Sequence, residues 1–283
     1  MLKQRVITAI VLLAILLPAV FAATPLPFCA VALVLIAASS WEWARLNGCS
    51  STVSLLLGLL MASLCVLAWY AGLLDKSLPL LWTLAGGVWV LLGAWLLRAG
   101  VIGWPRIPRV LRLGGGVMAL WLGWLAVAQA RVIGVEFLLS VLLLVWVADI
   151  GAYAAGRTLG GRFTASRLAP SISPGKTWEG VWGGVFCVVL LASVWAFLGQ
   201  FNNTAFSSSL YSRLLTQHGA LLMIVGVIFL AIMSVVGDLV ESLVKRSAGV
   251  KDSSGLLPGH GGVLDRVDAL LPAVPLAMML VNL

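Results

Sequence analysis

Nine runs of about 20 apolar residues follow one another along this chain, at 6–22, 27–46, 53–72, 79–98, 110–129, 133–156, 179–199, 219–243 and 266–283. Each is long enough to cross the hydrocarbon of a bilayer as a helix. The spacing therefore predicts an all-α, polytopic integral membrane bundle of about nine transmembrane helices. Hydrophobic residues make up 61% of the 283, against roughly half in a soluble domain, so no stretch remains for a separate soluble module. The expectation is one membrane domain over 1–283. Residues 1–130 read as lipid-embedded N-terminal helices, and 131–283 as helices carrying polar loops at 157–179 and 244–266. The first run reads as a spanning helix rather than a cleaved signal, because further apolar runs follow at once.

The cations orient the bundle. With the N-terminus in the cytoplasm, 15 of the 18 Lys and Arg residues fall on the cytoplasmic side, leaving Lys76, Arg131 and Arg213 outside. That asymmetry is what the positive-inside rule requires. The net charge of +8 then reflects loop bias, suits anionic lipid headgroups and gives no reason to expect nucleic-acid binding. Trp41, Trp43, Trp104 and Trp178 sit near span ends, where indoles anchor helices at the interface. Gly86–Gly87 and Gly183–Gly184 predict close helix contacts. The four Cys residues, 29, 49, 65 and 187, lack metal-ligand spacing and read as small packing residues.

The carboxylates are distributed unevenly. Glu42, Asp75 and Glu136 lie near predicted interfaces and read as solvated anchors. The other seven, Asp149, Glu179, Asp238, Glu241, Asp252, Asp265 and Asp268, all fall at cytoplasmic ends of the last four spans or in their loops. An ionisable group within an apolar helix, such as Asp149, is functional by default. Asp238 and Glu241 stand three residues apart, as do Asp265 and Asp268, so each pair shares a helical face. Carboxylates so placed repel one another unless a cation lies between them, and an oxygen-only set suits a hard cation such as Mg²⁺.

Two loops complete the polar end. In KDSSGLLPGHGG, 251–262, Gly and Ser backbone amides could line an anion, with Lys245, Arg246 and Lys251 adding positive charge and His260 reading as a substrate contact. In the loop 157–179, Ser173, Lys176 and Thr177 stand just before an apolar run whose N-terminal amides favour a phosphate. PGKT there resembles the end of a Walker A motif. The upstream Gly spacing and a preceding strand are absent, which argues against a P-loop.

The tract SLVKRSAGVKDSSGLLPGHGGVLDRVD, 242–268, resembles without a gap the signature of phosphatidate cytidylyltransferases (CDP-diacylglycerol synthases). ADIGAYAAGR and SPGKTWEG, upstream, are similar to companion motifs of that family. The resemblance implies transfer of a cytidylyl group from CTP to phosphatidic acid, giving CDP-diacylglycerol and pyrophosphate in phospholipid biosynthesis. It implies Mg²⁺, alone or with a second cation. It also implies a polytopic membrane protein, often dimeric. The compact length and the lack of a eukaryotic targeting segment point to a bacterial inner membrane, and the seven carboxylates at cytoplasmic span ends put the expected active site on the cytoplasmic side.

On these positions the expected metal ligands are Asp238 and Asp265, then Asp149, Glu241 and Asp268. Asp149, Lys176, Asp238, Lys245, Arg246, Lys251, Asp265 and Arg266 are the expected catalytic residues. Ser173, Lys176, Thr177, Glu179, Ser242, Lys251, Asp252, His260, Gly261 and Gly262 are the expected substrate contacts. A relative acting on another lipid phosphate, and an ion-coupled transporter, stay open as alternatives. Substrate-dependent pyrophosphate release separates the enzymes from the transporter.

Overall fold

The computed structural model describes residues 2–164, 167–201 and 208–282; Ala165 and Ser166 of the first polar loop, and the side chain of Lys3, lie outside the described residues. Among the described residues, eight helices are long and apolar enough to cross a membrane. They are α1 (Leu2–Phe21), α2 (Leu26–Leu46), α3 (Ser51–Tyr70), α4 (Pro79–Gly103), α5 (Arg109–Ile133), α6 (Val135–Leu159), α7 (Trp178–Phe201) and α8 (Leu210–Ser247). Each covers one of the first eight apolar runs. The largest difference is in α8, which starts nine residues early and turns at Gly219 (φ 82°). Its added segment is pinned to α6, where the Tyr211 hydroxyl donates to the Ser140 carbonyl at 2.7 Å.

The ninth run departs from a single span. It forms a four-residue helix, α9 (Leu264–Val267), and an 11-residue helix, α10 (Leu270–Leu280). Asp268 and Ala269 between them keep helical angles (φ −51°, ψ −49° and φ −68°, ψ −27°). The interruption comes from Pro272 and Pro275, which bring no N–H to the turn before them. A segment with broken hydrogen bonds must be shielded from lipid, and α10 is packed among α4, α5 and α8. The backbone of α8 comes close at Gly237, where an added Cβ would lie 2.5 Å from the Asp268 carbonyl oxygen.

Contacts at the two ends of α1 fix the sides of the bundle. Near its start, the Thr8 hydroxyl donates to the Pro258 carbonyl at 2.9 Å, so this end shares a side with the loop 244–266. At its finish, Arg131 Nε donates to the Val20 carbonyl at 2.9 Å, a cation at the negative end of a helix. Arg131 thus stands opposite the polar loops, as the cation count expects.

The closest helix pairing is α6 on α7. An added Cβ on Gly184 would sit 2.6 Å from the Ala148 carbonyl oxygen, and one on Gly183 would overlap the Ala155 methyl. Gly86 likewise faces Met279 and Leu276 of α10, whereas an added Cβ on Gly87 would meet nothing within 4 Å, so within that pair the expectation holds for Gly86 alone. Between α6 and α7 the chain forms a two-stranded antiparallel sheet, β1 (Arg167–Ala169) and β2 (Ser173–Thr177). The sequence reading expects an open anion loop here. Instead PGKT is itself extended, in the strand that leads into α7.

Candidate active site

α8 carries its last carboxylates to the end of the bundle where α7 starts and the loop 244–266 folds back. Lys245 Nζ lies 2.5 Å from Glu241 Oε2, one turn before it, and 2.5 Å from Asp265 Oδ1 across the loop. The other oxygen of Asp265 closes the loop. It accepts from the Ser253 amide at 2.9 Å, the Ser253 hydroxyl at 2.9 Å and the Gly262 amide at 2.7 Å. Burial by itself raises the Asp265 carboxyl. The Lys245 ammonium and the amides of Gly262 and Ser253 outweigh burial and hold it below the usual carboxylate range.

Glu42 of α2 serves the same loop and corrects the expectation of a solvated anchor. Its side chain is fully buried. Oε1 accepts from the Ser254 hydroxyl at 2.5 Å and the Val263 amide at 3.0 Å. Oε2 accepts from the Ser253 hydroxyl at 3.1 Å and the Leu264 amide at 2.6 Å. The room for this is made by Gly262, where a Cβ would strike both Ser253 Oγ and the Glu42 carboxylate. Gly261 beside it takes φ 86°, a left-handed turn that admits Gly at least cost. Leu257 N donates to the Gly261 carbonyl and His260 N to the Leu257 carbonyl. Within 251–262, the amides of Ser253, Leu256, Leu257, His260 and Gly262 are therefore engaged by the loop itself or by Asp265.

On the other side of α8, a cavity of about 500 Å³ opens between α6, β2, α7 and α8. Asp149, Tyr153, Arg157, Lys176, Thr177 and Asp238 line it. Lys176 Nζ stands 2.5 Å from Asp238 Oδ2, and the Ser242 hydroxyl donates to Asp238 Oδ1 at 3.2 Å. Asp238 and Glu241 were expected on one face. The turn of α8 separates them, Asp238 toward this cavity and Glu241 toward Lys245. Asp268, buried between, lies close enough to Asp238, Lys245 and Lys176 to interact with all three charges.

The remaining expected residues take varied places. Thr177 is buried, and its hydroxyl accepts from the Gly180 amide at 3.1 Å, capping the start of α7. Glu179 Oε1 accepts from the amides of Phe163 and Thr164 and from the Thr164 hydroxyl, so this carboxylate holds the turn after α6. Arg246 donates to the Ile172 and Val250 carbonyls, fastening the sheet to the end of α8. Arg266 donates to the His260 carbonyl, and His260 keeps a buried Nδ1 without a partner. Ser173 is half-buried in β2; Lys251 and Asp252 are exposed.

Asp149, Asp238, Glu241, Asp265 and Asp268 thus share one electrostatic neighbourhood, in which the ammonium groups are Lys176 and Lys245. Among the described residues no three His, Cys, Asp or Glu side chains converge on one metal position; the lysines stand between the carboxylates. The donor chemistry still fits a hard divalent cation: every ligand atom is oxygen, and carboxylates outnumber the lysines. Glu241 also has both oxygens buried and neither aligned for a hydrogen bond, although Oε2 is ion-paired with Lys245.

Residues 3–283 match the profile described as the cytidylyltransferase family. The chain is 37% identical over 282 residues to a phosphatidate cytidylyltransferase of Pseudomonas aeruginosa, covering 97% of this chain and 95% of that one. It is 38% identical over 301 residues to the protein of that name from Haemophilus influenzae, covering 97% and 96%. A Staphylococcus haemolyticus protein of the same name is 38% identical over 159 residues, 56% of this chain.

Proposed function

The chain belongs to the cytidylyltransferase family, and from that premise we infer that it transfers the cytidylyl group of CTP to phosphatidic acid, giving CDP-diacylglycerol and pyrophosphate. The observation that carries the reading to particular residues is the pairing of Lys245 with both Glu241 and Asp265, beside the Lys176–Asp238 pair. It supports a site for two polyanions at one end of a membrane bundle.

The chemistry asks for little from a base. A phosphate oxygen of the lipid forms the new bond to the α-phosphorus of CTP, and the bond from that phosphorus to the bridging oxygen breaks. Pyrophosphate leaves with the electron pair. The lipid phosphate is already an anion, so the difficulty is repulsion between substrates and charge developing on the leaving group. Lys176, at the mouth of β2, and Arg157 are placed for the triphosphate in the polar cavity. Ser173 and Thr177 adjoin it. Lys245 is placed for the lipid phosphate where α8 meets the loop 244–266, with Arg246, Lys251 and Arg266 supplying further positive charge nearby.

We assign Mg²⁺ to the same cluster. Asp238 and Asp265 would hold it first, with Asp149, Glu241 and Asp268 as further ligands; when bound it supplies Lewis-acid stabilisation of the triphosphate. A second cation would draw on the same carboxylates. For Asp265 Oδ1 to bind a cation, Lys245 must turn toward Glu241 or toward substrate, which couples the two roles. Asp252, His260, Gly261 and Gly262 remain substrate-side residues of the loop in this reading, and Glu179 and Ser242 its supports. The site faces the cytoplasm of a bacterial inner membrane, where CTP is available, and a homodimer is the expected assembly. The catalytic division of 131–283 from 1–130 is crossed by Glu42.

Purified protein in detergent, given phosphatidic acid and labelled CTP with and without Mg²⁺, tests the reading. Mg²⁺-dependent label in the lipid phase, from CTP and not from ATP, is expected. Folded protein that labels a different lipid phosphate, or none, overturns it.

A further inference from the structure

A second cavity, of about 540 Å³, lies between α4, α5, α8 and α10, on the face of α8 turned away from the polar cavity. Its walls are apolar: Val88, Leu92 and Leu96 of α4 and Met118 and Leu122 of α5 are typical. Its lining along α4 runs from Leu81 to Leu96, about 22 Å at the helical rise of ~1.5 Å per residue. That exceeds the half-thickness, about 15 Å, of bilayer hydrocarbon. Arg112 and Glu241 are the charged residues that line it.

The polar groups in this cavity are the unusual part. Arg112 Nε is buried with no hydrogen-bond partner, and so is Trp104 Nε1. The two side chains stand together, the guanidinium carbon 5.9 Å from the Trp104 ring centroid. Trp43 Nε1, also in the lining, is satisfied by the Arg112 carbonyl at 3.1 Å. Two unmatched N–H donors in an apolar enclosure carry a desolvation cost that an anionic oxygen would relieve. The surrounding chain favours such an anion: Arg98, Arg106 and Arg109 lie nearby in sequence, and no Asp or Glu occurs between Asp75 and Glu136. At α8 the same cavity ends on Glu241 and Leu264, which adjoin Lys245 and Asp265.

We propose that this cavity seats the acyl chains of the phosphatidic acid substrate, entering from lipid between α4 and α5, with Arg112 and Trp104 Nε1 receiving its phosphate on the way to Lys245. The proposal rests on the cytidylyltransferase reading for the identity of the lipid. Nucleotide and lipid then approach the reacting centre from opposite sides of α8. The partition explains why a single turn of this helix carries Asp238 to one cavity and Glu241 to the other.

A phosphatidic acid with a photoreactive diazirine on one acyl chain, added to wild-type protein in detergent, tests it directly. Label is expected on the α4 and α5 residues of the cavity, displaced by unlabelled dioleoyl phosphatidic acid and not by dioleoyl phosphatidylcholine. Arg112→Gln should weaken the labelling about tenfold, the value of a lost charged contact. Label mapped elsewhere, or displaced equally by phosphatidylcholine as for ordinary boundary lipid, overturns the proposal.

Kinetics add a second arm. An added Cβ on Gly115 would meet nothing within 4 Å although Gly115 lines the cavity, so Gly115→Leu fills space without an existing clash. The ratio of KM for dioleoyl to KM for dihexanoyl phosphatidic acid should rise about tenfold, with KM for CTP unmoved. An unchanged ratio overturns the proposal. Wild-type protein that captures the probe in the cavity yet makes no CDP-diacylglycerol refutes the catalytic reading and leaves the lipid site standing. Turnover with label elsewhere refutes the lipid site alone.

Discussion

Glu42 accepts a hydrogen bond from the Ser253 hydroxyl at 3.1 Å, across 211 residues of chain. The same serine donates its hydroxyl and its amide to Asp265. One serine therefore links a carboxylate of the second helix to a carboxylate of the reacting cluster, and the signature loop is held between them.

Replacing Glu42 tests that link. Glu42→Ala leaves the Ser254 hydroxyl and the amides of Val263 and Leu264 without an acceptor, at about 1–3 kcal/mol each before relaxation, so folded protein should not accumulate. Glu42→Gln keeps one acceptor oxygen and turns an NH₂ toward donors. It should fold with a lowered Tm and lose at least tenfold in kcat, about 1.4 kcal/mol of barrier, while KM for CTP changes little. Glu42→Asp should recover part of the rate. Full activity in Glu42→Gln would remove Glu42 from any positioning role.

Lys245 is the only described cation within ion-pair distance of Glu241 and Asp265. Lys245→Met leaves two buried carboxylates facing each other, and breaking such a site costs about 3–5 kcal/mol. Thermal melting in detergent should show that loss. The double variant Lys245→Met with Asp265→Asn should recover much of the Tm and none of the turnover. If the double variant melts no higher than the single one, the repulsion argument is wrong.

The Lys176–Asp238 pair behaves differently, since its side chains are 26% and 31% exposed. Solvent screens such a pair, so Lys176→Gln should cost under about 1 kcal/mol of stability. Its effect should appear instead in KM for CTP, which should rise about tenfold or more, with KM for phosphatidic acid nearly constant. A rise in the lipid KM alone would reverse the assignment of the two cavities.

Asp265 predicts a pH dependence. Its folded carboxyl is held below the usual value by Lys245 and two amides, against burial. A depressed carboxylate adds stability above its unfolded pKa, about 3.9, and that stability is lost as pH falls through the folded value. Melting measured in EDTA should therefore fall steeply below about pH 4, and Asp265→Asn should flatten that limb. At neutral pH Asp265→Asn should abolish turnover while leaving the protein inserted in the membrane; an active variant would exclude Asp265 from the site.

The eight long helices were legible in the sequence because crossing a bilayer depends on a local quantity, the length of an apolar run, and each run marks its own helix. The side on which the polar residues gather was legible for a similar reason, since cations are distributed by loop. The ninth run shows the limit: its length reads as one span, and only the packing of α10 against α4, α5 and α8 decides that it is a broken segment sheltered inside the bundle. The same limit governs the carboxylates. Spacing puts Asp238 and Glu241 on one face, yet the structure turns them to different cavities, and which cavity each faces depends on what packs against either side of α8. Glu42 looked like an interface anchor because its partners lie more than 200 residues away. A side chain's chemistry follows from the donors and charges that surround it, and in this protein those are assembled by tertiary contacts between α2, α8 and the loop that joins α8 to α9.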